Sequence, residues 1–440
     1  MAAALLAAFL IFLLQAGFGL VATGLCRAKN AAHTMAMHLL VVGVVAVAFF
    51  VFGFALLGDS PQTAKGGPWH FHHSRGYLLQ ADKSDVLSLT WFLLAAGYAA
   101  VAAVIPAGAL AERWSLKSLA AFTFVVGAVM FPIFGCWIWT GGWLAQLGVK
   151  ADLAHGAVDY AGSCVVHLQG GTLAFVLAWL VRPRLGKYDE SGRPRPILGH
   201  DVPMVILGSL VLWFGWFGFT TGRSLLAGDG RAALIAVNTL LAGTGGALAA
   251  ASYMWLVYGK PDPSLTCNGL LAGLVAICAS CAFVAPWAAM FIGVIGGIIA
   301  VWGVLLCERR GLDDPVGASS VHGLAGLWGT VTVGLLADGS FGDGYNGVTG
   351  PVRGLLYRGG GKQLLCQLIA AAVCIVWAAA VGGILFALLD RITGGNRVPT
   401  QVELAGLDIP EMGAPGYPEF ISHAAPEAFA AGVPKFPGGS

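Results

Sequence analysis

Charge is what this sequence has least of: across 440 residues only 10% are Asp, Glu, Lys or Arg, while 57% are hydrophobic. A soluble domain of ordinary composition is about a quarter charged, so a soluble globular chain is excluded. The 24 basic residues nearly balance the 22 acidic ones and are dispersed, which leaves no basic face for a nucleic acid. The loops hold no nucleophile–base pair, no phosphate-cradling glycine loop and no metal-ligand constellation, so an enzyme is the least supported class and neither cofactor nor metal is expected. Nine cysteines, at 26, 136, 164, 267, 278, 281, 307, 366 and 374, all fall in or beside apolar runs, which argues against a disulfide framework. The pair Cys278 and Cys281 has no second pair and no neighbouring histidine, and reads as packing.

What the chain has in abundance is long apolar runs. A bilayer core about 30 Å thick needs about 20 apolar residues per helix. Eleven segments meet or approach that length: roughly 3–26, 34–57, 87–111, 118–144, 156–181, 203–222, 231–258, 265–285, 287–307, 317–337 and 363–390. The expected fold is therefore an all-α polytopic membrane protein of eleven transmembrane helices, forming one membrane domain over 1–390. A tail over 391–440, rich in Pro, Gly and Ala, follows without a core of its own. The first run has no basic segment before it and reads as a retained helix, not a cleaved signal. With the N-terminus outside, fifteen of the 24 Lys and Arg residues collect on the inner side, so the positive-inside rule gives an N-out, C-in protein of the inner (plasma) membrane, with a cytoplasmic tail.

Two of the apolar runs carry a histidine, in "VVHLQGG" (165–171) and "SVHGLAG" (320–326). Asp159 precedes His167 by eight residues and Asp314 precedes His322 by eight; each histidine follows a valine and has a glycine four residues later, Gly171 and Gly326. One five-helix unit thus occurs twice, over about 3–181 and 203–337, with the helix 363–390 left over. Five is odd, so the second unit enters the membrane with opposite polarity, and a pseudo-twofold axis relates the two. An ionisable group inside a span costs several kcal/mol unless it is paired or faces a cavity. Pseudo-symmetry brings His167 and His322 face to face, where two imidazoles without water stay mainly neutral and can share or relay a proton.

Other residues fall around this pair. Gly170, Gly171 and Gly326 permit close helix approach. Asp159, at the outer start of the fifth helix, suits both a cap on the first turn and an electrostatic role toward a cation. Glu112 ends the third helix as a solvated or paired interface residue. Tyr98, Trp137, Trp139, Trp143 and the run "WFGWFGF" (213–219) gather toward the outer side, as an interfacial belt whose ring faces can also hold a cation. The segment "HFHH" (70–73) lacks the fixed spacing of a metal site and reads as a solvated loop.

The stretches "DYAGSCVVHLQGGTLAF", "GLCRAKN", "GALAER", "WFGWFGF", "LDDPVGASSVHGLAG" and "RVPTQVELAGLD" together resemble the signatures of the Amt/Mep/Rh ammonium transporter family, in a bacterial Amt-like form. The resemblance runs from the first helix to about Asp408. It implies a homotrimer in the lipid bilayer with a hydrophobic pore through each subunit, ammonium or ammonia as substrate, and a PII-type cytoplasmic regulator as partner. It further implies that His167 and His322 are twin pore histidines. Trp139, Tyr98, Phe219 and Asp159 then form the outer recruitment site and its aromatic gate. Arg223 stands in that site where many members have a small serine. The implied mechanism is recruitment of ammonium, deprotonation near the gate and passage of ammonia past the histidines. Two alternatives remain open: a neutral ammonia or carbon dioxide channel of Rh type, and an ammonium-sensing receptor with little transport.

Overall fold

The computed structural model describes residues 1–58, 69–80, 85–344, 346 and 348–420. Helix is the form a single segment adopts when no water is present to pair its backbone, and among the described residues there is no strand, only three isolated bridges. The principal helices are α1 (Ala2–Leu25), α2 (Ala28–Leu57), α3 (Val86–Ala109), α4 (Leu116–Trp139), α5 (Ser163–Val181), α6 (Val202–Ala227) and α7 (Ala232–Tyr258). They continue as α8 (Pro263–Ile277), α9 (Pro286–Arg309), α10, which joins Ser319–Leu324 to Ala325–Leu336, and α11 (Lys362–Ile392). All but α8 and α10 are long and apolar enough to cross a membrane, which makes nine such helices among the described residues.

Helix α8 stops at Ile277, well short of the run to 285 expected from hydropathy. The carbonyls of Cys278 and Ala279 turn away from the helix and accept from the N–H groups of Ala161 (2.9 Å) and Tyr160 (3.1 Å). Irregular backbone at this depth is tolerated because another segment of the protein completes its hydrogen bonds.

The internal repeat is visible in how helices meet. Helices α1 and α6, the first of each unit, run antiparallel on glycines: Gly24 faces the Asp201 carbonyl, Gly17 faces Leu212, and Gly218 faces Leu10. Helices α5 and α10 cross even more tightly. A Cβ on Gly171 would lie 2.0 Å from the Gly323 nitrogen, and one on Gly326 would lie 2.8 Å from the Leu168 nitrogen. The histidines are 155 positions apart, and the same offset carries Gly171 onto Gly326 and Leu168 onto Gly323. Each contact is therefore the image of the other, as a twofold relation requires. Both histidines also ride on π-helical turns, Ser163–Leu168 and Ser319–Leu324, a wide turn found mostly where a helix serves a site.

At the end of the bundle opposite the aromatic cluster, buried charges tie the units together. Glu112, fully buried rather than solvated, accepts from Arg27 (2.5 Å), Arg184 (2.6 Å) and Asn30 (2.9 Å). Arg184 also grips Asp313 through Nε (2.8 Å) and Nη2 (2.9 Å). Burial raises the Asp313 carboxyl, but Arg113 and Arg184 more than offset it and hold the group well below the usual carboxylate range. The described part of the tail docks on this end. Asp408 accepts from the N–H groups of Ala32 (3.1 Å) and His33 (2.9 Å), and Lys29 donates to the carbonyls of Glu403 (2.7 Å) and Leu404 (2.6 Å). Residues 421–440, including Lys435, lie outside the described residues.

Candidate functional site

The site begins where the chain enters α5. The Asp159 carboxylate accepts three backbone N–H bonds, from Gly162 (2.8 Å), Cys164 (2.9 Å) and Val165 (2.8 Å). These are the unpaired donors of a helix start, and a carboxylate meets them well. Gly162 supplies the left-handed turn (φ 108°) that this loop needs. Held this way, the loop aims the carbonyls of Asp159 and Tyr160 into the protein. Trp139 Nε1 donates to the Asp159 carbonyl (2.7 Å).

Arg223 fills the space in front of those carbonyls. Its Nη1 donates to the Tyr160 carbonyl (2.7 Å) and the Asp159 carbonyl (3.2 Å). The guanidinium carbon stands 5.5 Å from the centres of both the Trp139 and Tyr160 rings. Carbonyl oxygens and ring faces are the groups that hold a desolvated cation, so this is a cation cage with a cation of the chain inside it.

Beneath the cage lies a column of rings. Tyr98 sits 5.3 Å from Trp139 and meets Phe219 edge-on, at 4.8 Å and 87°. Its hydroxyl donates to the Phe219 carbonyl (2.8 Å), which fixes the pair. His167 follows, 5.3 Å from Phe219 and stacked on Trp216 at 5.1 Å and 13°. His322 comes next, with its ring centre 5.2 Å from that of His167 and the two Nδ1 atoms 3.2 Å apart. The Nε2 of His167 is buried with no hydrogen-bond partner. Below His322 a cavity opens toward the charged end of the bundle, lined by Phe18, Ala22, His38, Leu271 and Val321 among others.

The structure thus brings Trp139, Tyr98, Phe219, Arg223, His167 and His322 into one continuous column. Asp159 joins it in the first of its two expected roles, as a cap on the start of α5, and not by turning its carboxylate toward a cation. Its carboxylate is occupied by backbone donors and it reaches the site through its carbonyl. Trp216, Tyr160, Phe18 and His38 were not singled out from the sequence. Trp216 lay inside a run that reads as an interfacial belt, although its spacing of three from Phe219 puts both on one helical face. The "HFHH" segment is likewise not simply solvated: Nε2 of both His70 (3.4 Å) and His73 (3.2 Å) faces the Thr140 carbonyl. All nine cysteines are free thiols.

The fold and this buried column define a multi-pass helical membrane protein. Comparison with known proteins makes the class specific, since the model of the Ammonium Transporter Family matches residues 2–417. The chain is 44% identical over 422 residues to the ammonium transporter Amt2 of Archaeoglobus fulgidus, covering 95% of this chain and 88% of that one. It is 34% identical to ammonium transporter 3 of Dictyostelium discoideum over 93% of this chain and 92% of that one. Among solved structures, a sensor Amt protein superposes with a TM-score of 0.82 at 31% identity, over 93% of this chain and 97% of that one. Mep2 of Candida albicans does so with a TM-score of 0.80 at 26% identity, over 91% and 86%. The chain belongs to the ammonium transporter family, and its function is membrane transport of ammonium, not enzymatic catalysis.

Proposed function

We propose that this protein moves ammonium-derived nitrogen through the column of Trp139, Tyr98, Phe219, His167 and His322, with deprotonation above the histidines and passage of ammonia between or past them. The observation that carries the reading is the Nδ1–Nδ1 contact of 3.2 Å between two buried imidazoles from symmetry-related helices. A neutral imidazole pair offers a small base hydrogen-bonding partners where an ion is poorly solvated. The reading includes eleven spans inserted N-out and C-in in the plasma membrane, a membrane domain over 1–390 and a tail over 391–440. It also includes assembly as a homotrimer and a PII-type regulator at the cytoplasmic face. Large exposed apolar side chains such as Leu39, Leu256, Val376 and Ile384 suit contact with lipid or sister subunits.

In proteoliposomes on a solid-supported membrane, an ammonium pulse is expected to give a transient current. His167→Ala is expected to change flux by about tenfold or more, roughly 1.4 kcal/mol in the barrier. Flux at the level of empty vesicles defeats the transport reading. If ammonium still binds under those conditions, a receptor role takes its place.

The Arg223 geometry favours a second reading, in which the species entering the column is neutral, as in a gas channel of Rh type. A guanidinium held by two carbonyls and two rings leaves those groups unavailable to a free cation, and its charge opposes a second one nearby. On this reading flux follows the concentration of ammonia, rising about tenfold per pH unit well below the ammonium pKa, without net current. Arg223→Ser is then expected to add a saturable, charge-carrying component. Current in the native protein with no gain in the variant rejects this second reading and leaves the first intact.

A further inference from the structure

Away from the column, three potential metal-ligating side chains converge. One ligand atom from each of His70, His73 and Cys136 lies within 4.8 Å of the other two. The two imidazole rings are 4.6 Å apart and tilted, and Nε2 of each faces the same Thr140 carbonyl. The Cys136 thiol lies against the Thr140 side chain and the His73 backbone. Cys136 is buried on α4, one helical turn before Trp139, while the histidines are part-buried on the segment over residues 69–80.

The segment is seated firmly. The His73 N–H donates to the Leu56 carbonyl (3.1 Å), and Trp137 Nε1 donates to the Phe71 carbonyl (2.8 Å). A Cβ on Gly58 would lie 2.2 Å from the His73 ring, so the imidazole occupies space that only a glycine leaves. Thr140 reaches back to the Leu57 carbonyl (2.5 Å). The end of α2, the end of α4 and the histidine segment are thereby fixed around one point.

We propose that His70, His73 and Cys136 form a binding site for one borderline or soft divalent cation of the zinc class. One thiolate and two neutral imidazoles are the donor set such an ion selects over magnesium or calcium. Zinc takes sulfur at about 2.3 Å and nitrogen at about 2.0 Å, which sets ligand atoms roughly 3.5 Å apart. Closure by about an ångström, on a segment outside the helices, brings the three atoms to that spacing. The Thr140 carbonyl or water completes the shell. Binding breaks the Cys136 S–H bond and forms the metal–sulfur bond, and the proton goes to solvent, so affinity rises with pH. The bound ion pins the histidine segment to the turn of α4 that carries Trp139, which places a metal-dependent clamp beside the entrance to the column. This inference does not depend on which nitrogen species the column carries.

The test uses the full chain in detergent micelles titrated with cobalt(II) as a spectroscopic probe, followed by zinc. The expected result is one equivalent per chain with a thiolate-to-cobalt charge-transfer band, both abolished by zinc. Cys136→Ser should remove the band, and His70→Asn or His73→Asn should weaken binding about 10- to 100-fold. His72→Asn serves as the control and should leave binding unchanged. Each variant is checked for an unaltered size-exclusion profile, so that loss of binding is not loss of fold. Absence of the thiolate band in the native chain, or its persistence in Cys136→Ser, overturns the proposal.

Discussion

Asp159 shows how one residue organises an entrance without facing it. Its two carboxylate oxygens accept three backbone N–H bonds, and the carbonyls of Asp159 and Tyr160 are aimed as a result. Asp159→Ala orphans those donors, and each buried orphan costs about 1–3 kcal/mol. We expect a clear fall in the melting temperature in detergent together with loss of flux. Asp159→Asn, which keeps an acceptor oxygen, should fall between the variant and the native protein. This residue was legible in the sequence as a cap because a carboxylate just before a helix has that use. Its indirect contribution was not, because the direction of a carbonyl is set by loop geometry and no residue type encodes it. Arg223 was legible, through the family resemblance, as a charge in the outer recruitment site where many members have a small serine. That it fills a cage depended on Tyr160, a residue with no distinguishing local pattern.

Among the elements, the crossing of α5 and α10 makes the sharpest demand. A Cβ at Gly171 meets backbone at 2.0 Å, whereas one at Gly323 finds its nearest atom at 3.4 Å. Gly171→Ala should therefore destabilise by about 1–3 kcal/mol or more, as overpacking against backbone does, while Gly323→Ala should be close to neutral. Thermal unfolding of the two variants side by side checks this, and equal effects would contradict the crossing geometry. Helix positions were readable from hydropathy because spans must be apolar and long. The early end of α8 was not, since the stretch from Cys278 to Phe283 is apolar but for Ser280, while the carbonyls of Cys278 and Ala279 serve another segment. The repeat was readable from one Asp, one Val, one His and one Gly at matching offsets, and the reciprocal glycine contacts give that match a physical meaning.

For the whole molecule, the buried charge network decides pH tolerance at one end. Glu112 lies at the end of α3, Arg184 between the two repeats and Asp313 between α9 and α10, so one cluster joins both units. The folded state holds Asp313 below its ordinary range. Its contribution is thus present in full above the unfolded carboxylate pKa of about 3.9 and is lost as pH falls through that value and below. Melting temperature in detergent should fall progressively as pH drops from about 5, with the Asp313 share concentrated below about pH 4, and that share should vanish in Asp313→Asn, a variant less stable at neutral pH. The long-range pairings among Arg27, Glu112, Arg184 and Asp313 could not be drawn from sequence. Charge and position were visible there, but partners brought together from different loops are a property of the closed bundle.

The Nδ1 contact between the histidines also sets a direction. A single hydrogen lies between two nitrogens, so one ring donates and the other accepts. In the neutral pair the accepting ring carries its own hydrogen on Nε2, and the donating ring has a bare Nε2. A molecule arriving from one side therefore meets a hydrogen, and one arriving from the other meets a lone pair. Moving the shared hydrogen across exchanges the two faces only when both outer nitrogens change as well. The pair behaves as a two-position register, and a transport cycle that flips it must flip it back before the next molecule meets the same surface.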